Sequence, residues 1–279
     1  MKEKKIKLRY KLLNFDITPV ACQSPERYVE LLKKILDDKI HKTTFHEKRT
    51  ELKYLEVQDR YVYGTLINST ILSNGKWFDD DKEGMVDFEV DKKLHPNTQV
   101  WRFCFVPSTH RLALYLDNKA SLGQVKKYFE EAFKDVVDRD KGEEVHVSIV
   151  SSEDAIDAIL NAKHLTSLEM EVTYTNNDNN EEWEEADQQL KDSKITKVKT
   201  KLSGTPQQPI SLKSGTFFHS LLHLCKDYGK AIAVGKFDGK RKKISTERYP
   251  DEIRTSYIDG QSREEIVTDE VIKRYGDKD

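Results

Sequence analysis

Residues 99–133 read QVWRFCFVPSTHRLALYLDNKASLGQVKKYFEEAF. Trp101, Phe103 and Phe105 alternate with Arg102, Cys104 and Val106, the period of two that marks a strand with distinct faces. Pro107–His110 supplies turn residues, and Leu112, Leu114 and Leu116 share one face of a return strand. Ser121 and Gln124 stand at capping-box spacing. Val125, Phe129, Ala132, Phe133 and Val136 then recur as one apolar helical stripe. The stretch predicts strand, tight turn, strand and capped helix, with both strands able to bury a side against helices. Its one polar cluster, Arg102, His110 and Arg111, reads as a turn rather than as an active site.

The same reading extends outward in both directions. Residues 4–17, KKIKLRYKLLNFDI, predict an opening strand. Residues 24–36, SPERYVELLKKIL, predict a helix capped by Ser24, with Pro25 in the first helical position and Tyr28, Leu31, Leu32, Ile35 and Leu36 on one face. A loop carrying His41 and His46 is expected next. Residues 51–72 predict two strands about a turn at Gln58–Arg60, and Ser73–Lys76 reads as a stronger turn. Residues 79–98 are acidic and give no firm element. Beyond the central unit, residues 144–150 read as a strand, 152–162 as a short helix and 165–175 as an alternating strand. Hairpin-connected strands with interspersed helices predict an α+β fold, a mostly antiparallel sheet with helices packed on one face, plus a smaller basic β-rich C-terminal domain.

Asn176–Asn180 is a low-complexity run of turn residues and the expected domain boundary. The domains so read are an α+β core over 1–175, a basic α+β domain over 181–261 and a C-terminal helix and tail over 262–279. Residues 181–192 read as an acidic helix around Trp183. In ITKVKTKL, 195–202, Lys197, Lys199 and Lys201 fall on one strand face and Val198 and Leu202 on the other. Residues 214–229 read as an apolar helix ending on Gly229 as a left-handed cap. Residues 231–237 and 240–246 flank Asp238-Gly239, the strongest hairpin signal in the chain. A frayed helix is expected after Ser262.

The net charge of −2 hides an asymmetry. Lys191–Arg254 carries 15 Lys/Arg and 6 Asp/Glu, 15 − 6 = +9, so the rest of the chain carries −2 − 9 = −11. A basic region of this kind points to an anionic partner. The candidate nucleic-acid contacts are Lys197, Lys199, Lys201, Lys236, Lys240, Arg241, Lys242, Lys243 and Arg248. Lysines at alternate strand positions lie about 7 Å apart, commensurate with the phosphates of a nucleic-acid strand. Phe237 and Tyr249 are interleaved, and no recognition-helix or zinc-finger signature calls for sequence-specific readout. The competing reading is a solvated sheet edge whose lysines oppose aggregation.

Other chemistry has weaker signals. His219 and His223 at helical spacing could face a zinc ion, but no glutamate or third ligand accompanies them, and the surrounding residues favour buried or interface histidines. Asp87, Glu89, Asp91 and Lys93, or Asp238 and Lys240, have the residue types of a metal-dependent nuclease but are crowded into single segments. No nucleophile elbow, dinucleotide loop or phosphate-binding loop occurs, so no metal and no cofactor is expected. Cys22, Cys104 and Cys225 are odd in number and far apart, as expected of reduced thiols in a cytoplasmic protein. No apolar run approaches a membrane span, and the N-terminal residues do not read as a signal peptide.

Several of these segments, in order, resemble an uncharacterised bacterial family, domain of unknown function 4747. They are the opening strand with SPERYVELLKKIL, VYGTLINSTILSNGKWFD, VWRFCFVPSTHRLALYLD with its helix, LEMEVTYTNNDN, and YGKAIAVGKFDGKRKKIST. The shared motifs are structural, so no catalytic residue is implied. The resemblance implies a cytoplasmic bacterial protein, often associated with mobile elements, with a role in anti-phage defence. The leading expectation is a non-enzymatic protein that binds DNA or RNA without sequence preference, as a homo-oligomer or with a co-encoded partner. The alternatives are a metal-dependent nuclease or toxin effector, and an interaction subunit that acts only with its partner.

Overall fold

A computed structural model of the chain describes residues 5–91, 93–115, 120–173, 184–258 and 260–276. The elements run β1 (Ile6–Thr18), α1 (Pro25–Asp37), β2 (His41–Phe45), β3 (Lys48–Val57), β4 (Val62–Thr70), β5 (Gly75–Asp79) and β6 (Gly84–Phe88). They continue with β7 (Gln99–Val106), β8 (Arg111–Tyr115), α2 (Leu122–Val136), β9 (Glu144–Ile149), α3 (Glu153–Leu160) and β10 (Lys163–Thr173). The remainder are α4 (Glu184–Asp192), β11 (Lys197–Ser203), α5 (Phe217–Tyr228), β12 (Gly229–Phe237), β13 (Lys240–Ser245), β14 (Glu252–Tyr257) and α6 (Arg263–Tyr275). The fold is α+β, as the alternation of the chain predicts.

The first sheet has the order β14-β1-β8-β7-β4-β3-β2, with every pairing antiparallel, and β9 also pairs with β1. The long strand β1 is its hub. Residues Ile6–Lys11 pair with β14, Tyr10–Asn14 with β8, and Leu13–Thr18 with β9. Its odd-numbered Leu13, Phe15 and Ile17 face α1 and α2, together with Trp101, Phe103, Phe105, Leu112 and Leu114. Phe15 sits at the centre, with the rings of Phe105, Phe129 and Phe133 between 5.1 and 5.2 Å from its own. Burying each such side chain contributes roughly 1.5–3 kcal/mol. The helix starts follow the sequence signals: the Ser24 and Ser121 hydroxyls accept from the amides of Arg27 and Gln124. Gln124 does not complete a capping box. Its side-chain oxygen instead accepts from Asn68 Nδ2 at 2.9 Å.

The opposite face of this sheet is covered too. Leu8, Tyr10, Leu12, Cys104, Val106 and Ala113 pack with Val267 and Val271 of α6. The segment after Ser262 is thus a capped helix with a buried stripe rather than a frayed end, because this second face of the sheet also needs apolar cover. Two further segments differ from expectation. His41 begins a strand at the sheet edge, and the acidic stretch after Ser73 forms a separate two-stranded ribbon of β5 and β6. Gly75 therefore lies within a strand, not in the expected turn at Ser73–Lys76.

The second sheet has the order β11-β10-β12-β13 and packs one face on α3, α4 and α5. The boundary expected at Asn176–Asn180 lies outside the described residues, as does Trp183. The sheets themselves divide the chain elsewhere. β10 joins the basic strands, whereas β14, inside the expected basic domain, returns to pair with β1. Alternation fixes a strand's faces but not its neighbours, so this exchange is invisible locally.

The two halves meet over a buried polar group. Arg111 is 2% exposed. It donates to the Asn14 side-chain oxygen, to the Thr109 carbonyl at 3.1 Å and to Asp227 Oδ1 on α5 at 3.4 Å. Its guanidinium lies 4.8 Å from the centre of the Tyr275 ring on α6. The Tyr275 hydroxyl donates to Asp251 Oδ2 at 2.5 Å, and burial, first, with Asp227 and Asp251 nearby, pushes its pKa up. Arg111 is accordingly an interior residue, not the turn residue that its neighbours Pro107–His110 suggest.

Candidate nucleic-acid interface

Each strand of the second sheet turns one side to the helices, and the other side stays open. Leu168, Met170 and Val172 of β10 pair with Leu202, Thr200 and Val198 of β11 on the helix side. The open side then carries Glu169 opposite Lys201, Glu171 opposite Lys199, and Thr173 opposite Lys197. On the other flank of β10, Glu171 meets Lys230 and Glu169 meets Ile232 of β12. The rows end on β13, where Lys243 opposes Val234 and Arg241 opposes Lys236. Within the regularly paired rows, leaving out Lys163 beyond the bulge in β10, one open face thus brings together seven cations, Lys197, Lys199, Lys201, Lys230, Lys236, Arg241 and Lys243. Against them stand two carboxylates, Glu169 and Glu171, so its balance is 7 − 2 = +5.

All nine sequence-selected basic residues are exposed, but they do not all share this face. Lys240 and Lys242 pair with Phe237 and Gly235 and so point to the helix side of the edge strand. Lys242 lies 3.3 Å from Asp238 across the hairpin turn. Arg248 lies beyond β13 in a short helical turn, outside the rows. Phe237 is buried, so of the two interleaved aromatics only Tyr249 is exposed. Lys230 was missed because it stands alone between Gly229 and Ala231. The signal that could have found the face is the match between Glu169/Glu171 and Lys197/Lys199/Lys201, opposite charges at alternate positions of two strands.

The carboxylates shape the field without cancelling it. Glu171 is contacted by Lys197 at 2.5 Å, Lys199 at 3.5 Å and Lys230 at 3.7 Å. Partial burial pushes its carboxyl up, but the three lysines, Lys197 foremost, outweigh this and hold it below the usual range. Glu169 is lowered chiefly by its hydrogen bond to Lys201, at 2.8 Å in the ion pair, with a contribution from Lys243. Such exposed pairs add little stability, about 0–1 kcal/mol, and exchange readily for other anions. A shallow groove of about 450 Å³ runs between Lys199, Lys201, Glu169, Glu171 and Lys230.

The face continues toward the first sheet. A cleft of about 270 Å³ lies between α2, β9 and the second sheet, lined among others by Lys126, Lys134, His146, Lys197 and Lys230. Lys126 bridges to Glu247 at 2.6 Å. Burial raises the pKa of Glu130 and lowers that of His146, so the former holds its proton more readily and the latter less. The approach of the sheet to the end of α5 is set by Gly229. Its backbone is extended (φ 176°), not left-handed, and a Cβ there would meet the Glu171 carbonyl oxygen at 1.9 Å. The helix ends on Gly229 as expected, but the glycine is needed for close strand packing, which corrects its reading as a left-handed cap.

A profile of the family described as a domain of unknown function, DUF4747, matches residues 6–275. The chain belongs to the DUF4747 family. No curated protein matches it. The match runs through both sheets and all the helices, so the basic face lies within the DUF4747 region. Among the described residues no three His, Cys, Asp or Glu side chains stand together as metal ligands. His223 is buried on α5, its ring 4.7 Å from that of His219 and its Nδ1 3.9 Å from Glu153. Asp238 and Lys240 sit on an exposed hairpin tip.

Proposed function

We propose that this DUF4747 protein binds nucleic acid through the phosphate backbone on the open face of its second sheet. The observation that supports the reading is the convergence of seven cations around two carboxylates on the side of the sheet opposite α3, α4 and α5. Its cations stand in rows at strand spacing, and among the described residues no aromatic side chain is paired on the open face. Contacts of this kind position phosphates and carry no sequence information. The setting we assign is the bacterial cytoplasm, in defence against phage, which is what the family resemblance implies. Among the described residues no helix is long and apolar enough to cross a membrane.

The test is binding of duplex DNA and of RNA, each in unrelated sequences, across a salt series. A net of about five neutralised phosphates gives a slope of log K against log salt near −4.5 on duplex DNA. Lys199→Glu with Lys243→Glu removes two of these contacts and adds repulsion. The slope should shrink by about two and affinity should fall by more than about tenfold. Lys240→Glu with Lys242→Glu, on the other side of the edge strand, should do much less. Absence of binding at low salt, or equal effects of the two double variants, would overturn the reading.

A further inference from the structure

The ribbon of β5 and β6 is the least accounted-for part of the fold. Among the described residues its strands pair only with each other. A lone two-stranded hairpin is marginally stable in water and gains stability by packing against a further surface. Side chains able to make such a contact are exposed on both of its faces. Phe78 and Met85, cross-strand neighbours, are each 62% exposed, and Trp77 and Phe88, their rings 4.7 Å apart on the opposite face, are 41% and 45% exposed. Together they present on the order of 300 Å² of apolar surface, divided between the two faces of the ribbon.

Charge indicates what covers it. Between Gly75 and Asp91 seven carboxylates stand against Lys76 and Lys82, 2 − 7 = −5. Asp80, Asp81 and Glu83 crowd the tip and are exposed, while the Asp79 carboxylate turns inward to accept from the amides of Asp81 and Lys82. The open face of the second sheet has the opposite balance, +5. The dimensions also agree. The five-residue strand Gly75–Asp79 and the five-residue segment Lys197–Lys201 each span about 14 Å from first to last residue. Ile232 and Val234, half-buried between the lysine rows, offer an apolar landing for Phe78 and Met85.

We propose that the acidic, aromatic ribbon of one copy docks on the basic open face of the second sheet of another copy. The contact joins two different surfaces and so builds rings or open chains rather than an isologous dimer. It occupies the same lysines as the nucleic acid proposed above, so assembly and nucleic-acid binding exclude each other. The docking itself does not require nucleic acid to be the ligand.

The test is a charge exchange read by sedimentation over a broad concentration range. Variant one carries Asp80→Lys, Asp81→Lys and Glu83→Lys, leaving Asp79 to hold the turn; variant two carries Lys199→Glu and Lys243→Glu. Wild-type protein should associate as concentration rises. Each variant alone should associate at least about tenfold more weakly, and a mixture of the two should recover association, because variant two keeps an intact acidic ribbon and variant one an intact basic face. Phe78→Ser with Met85→Ser should also abolish association while leaving the ribbon's charge intact. A wild-type protein monomeric throughout, variants that associate like wild type, or a mixture that stays monomeric would each overturn the inference. Nucleic-acid binding is measured on the same samples and separates the two proposals. Association without nucleic-acid binding defeats the functional reading alone, and nucleic-acid binding by a protein that stays monomeric defeats this one alone.

Discussion

Replacing Arg111 by methionine keeps an unbranched side chain in the space but removes its charge and all its donors. In the fold this guanidinium touches Asn14 on β1, the Thr109 carbonyl, Asp227 on α5 and the Tyr275 ring on α6. It therefore ties the first sheet to the helix that carries the second. Asp227 is 8% exposed, and removing the arginine leaves a carboxylate in a poorly hydrated place without that cation. Breaking a buried pair from one side destabilises by about 3–5 kcal/mol. The lost donors to Asn14 and Thr109 belong to the same group, so their contributions overlap with this figure. For a chain of 279 residues, about 4 kcal/mol corresponds to a fall in Tm of about 8–12 °C. Urea denaturation followed by circular dichroism gives the free energy directly. Asp227→Asn, which keeps shape and removes charge, should destabilise by about 1.5–3 kcal/mol. The double variant should fall short of the sum by at least about 1 kcal/mol, since either change alone ends the charge pairing. A loss below about 1 kcal/mol in Arg111→Met, or strict additivity in the cycle, would show that the group does not hold the halves together.

Two further predictions concern buried titratable groups. Burial, followed by the neighbouring His219, lowers the pKa of His223 to about 4. Its unfolded value is near 6.5, so the unfolded chain takes up a proton first as pH falls. The stabilising contribution is complete above about pH 6.5 and is lost between there and about pH 4, amounting to roughly 2–3 kcal/mol. His223→Phe should flatten the pH dependence of stability in that window, and an unchanged profile would refute the assignment. The cysteines should differ in reactivity. Burial pushes the Cys104 thiol up to about 12 and raises that of Cys225 as well, whereas Cys22 is only partly buried. A thiol-reactive chromogenic disulfide should titrate Cys22 alone in the native protein and all three thiols in denaturant; fast native reaction of Cys104 or Cys225 would contradict the packing.

Much of the local structure is legible in the sequence because it depends on neighbours a few residues apart. The strand–turn–strand of residues 99–115, the helix after Ser121, the caps at Ser24 and Ser121, and the two faces of β11 all follow from periods of 2 and 3.6 and from short polar side chains at helix starts, while the expected Leu116 position lies outside the described residues. The ribbon was missed because its residues are acidic and lack a buried face to impose alternation. Lys240 and Lys242 look equivalent to Arg241 and Lys243 in a run of four basic residues, and only the pairing of β13 with β12 sends them to opposite sides.

The sequence by itself determined the α+β class, the long apolar opening strand, the placement of charge and the alternation of Lys197, Lys199 and Lys201, since each is legible within contiguous segments. Only the tertiary structure decided that β10 crosses to the basic strands and β14 returns to β1, that Glu169 and Glu171 sit among the lysines, and that Arg111 is interior. The physical reason is sequence distance. Arg111 meets partners 97 and 116 residues away, and a residue's burial and partners depend on which distant strands close around it. A strand's own alternation sets which side chains share a face; the sheet it joins sets whether that face meets helices, another charge or solvent.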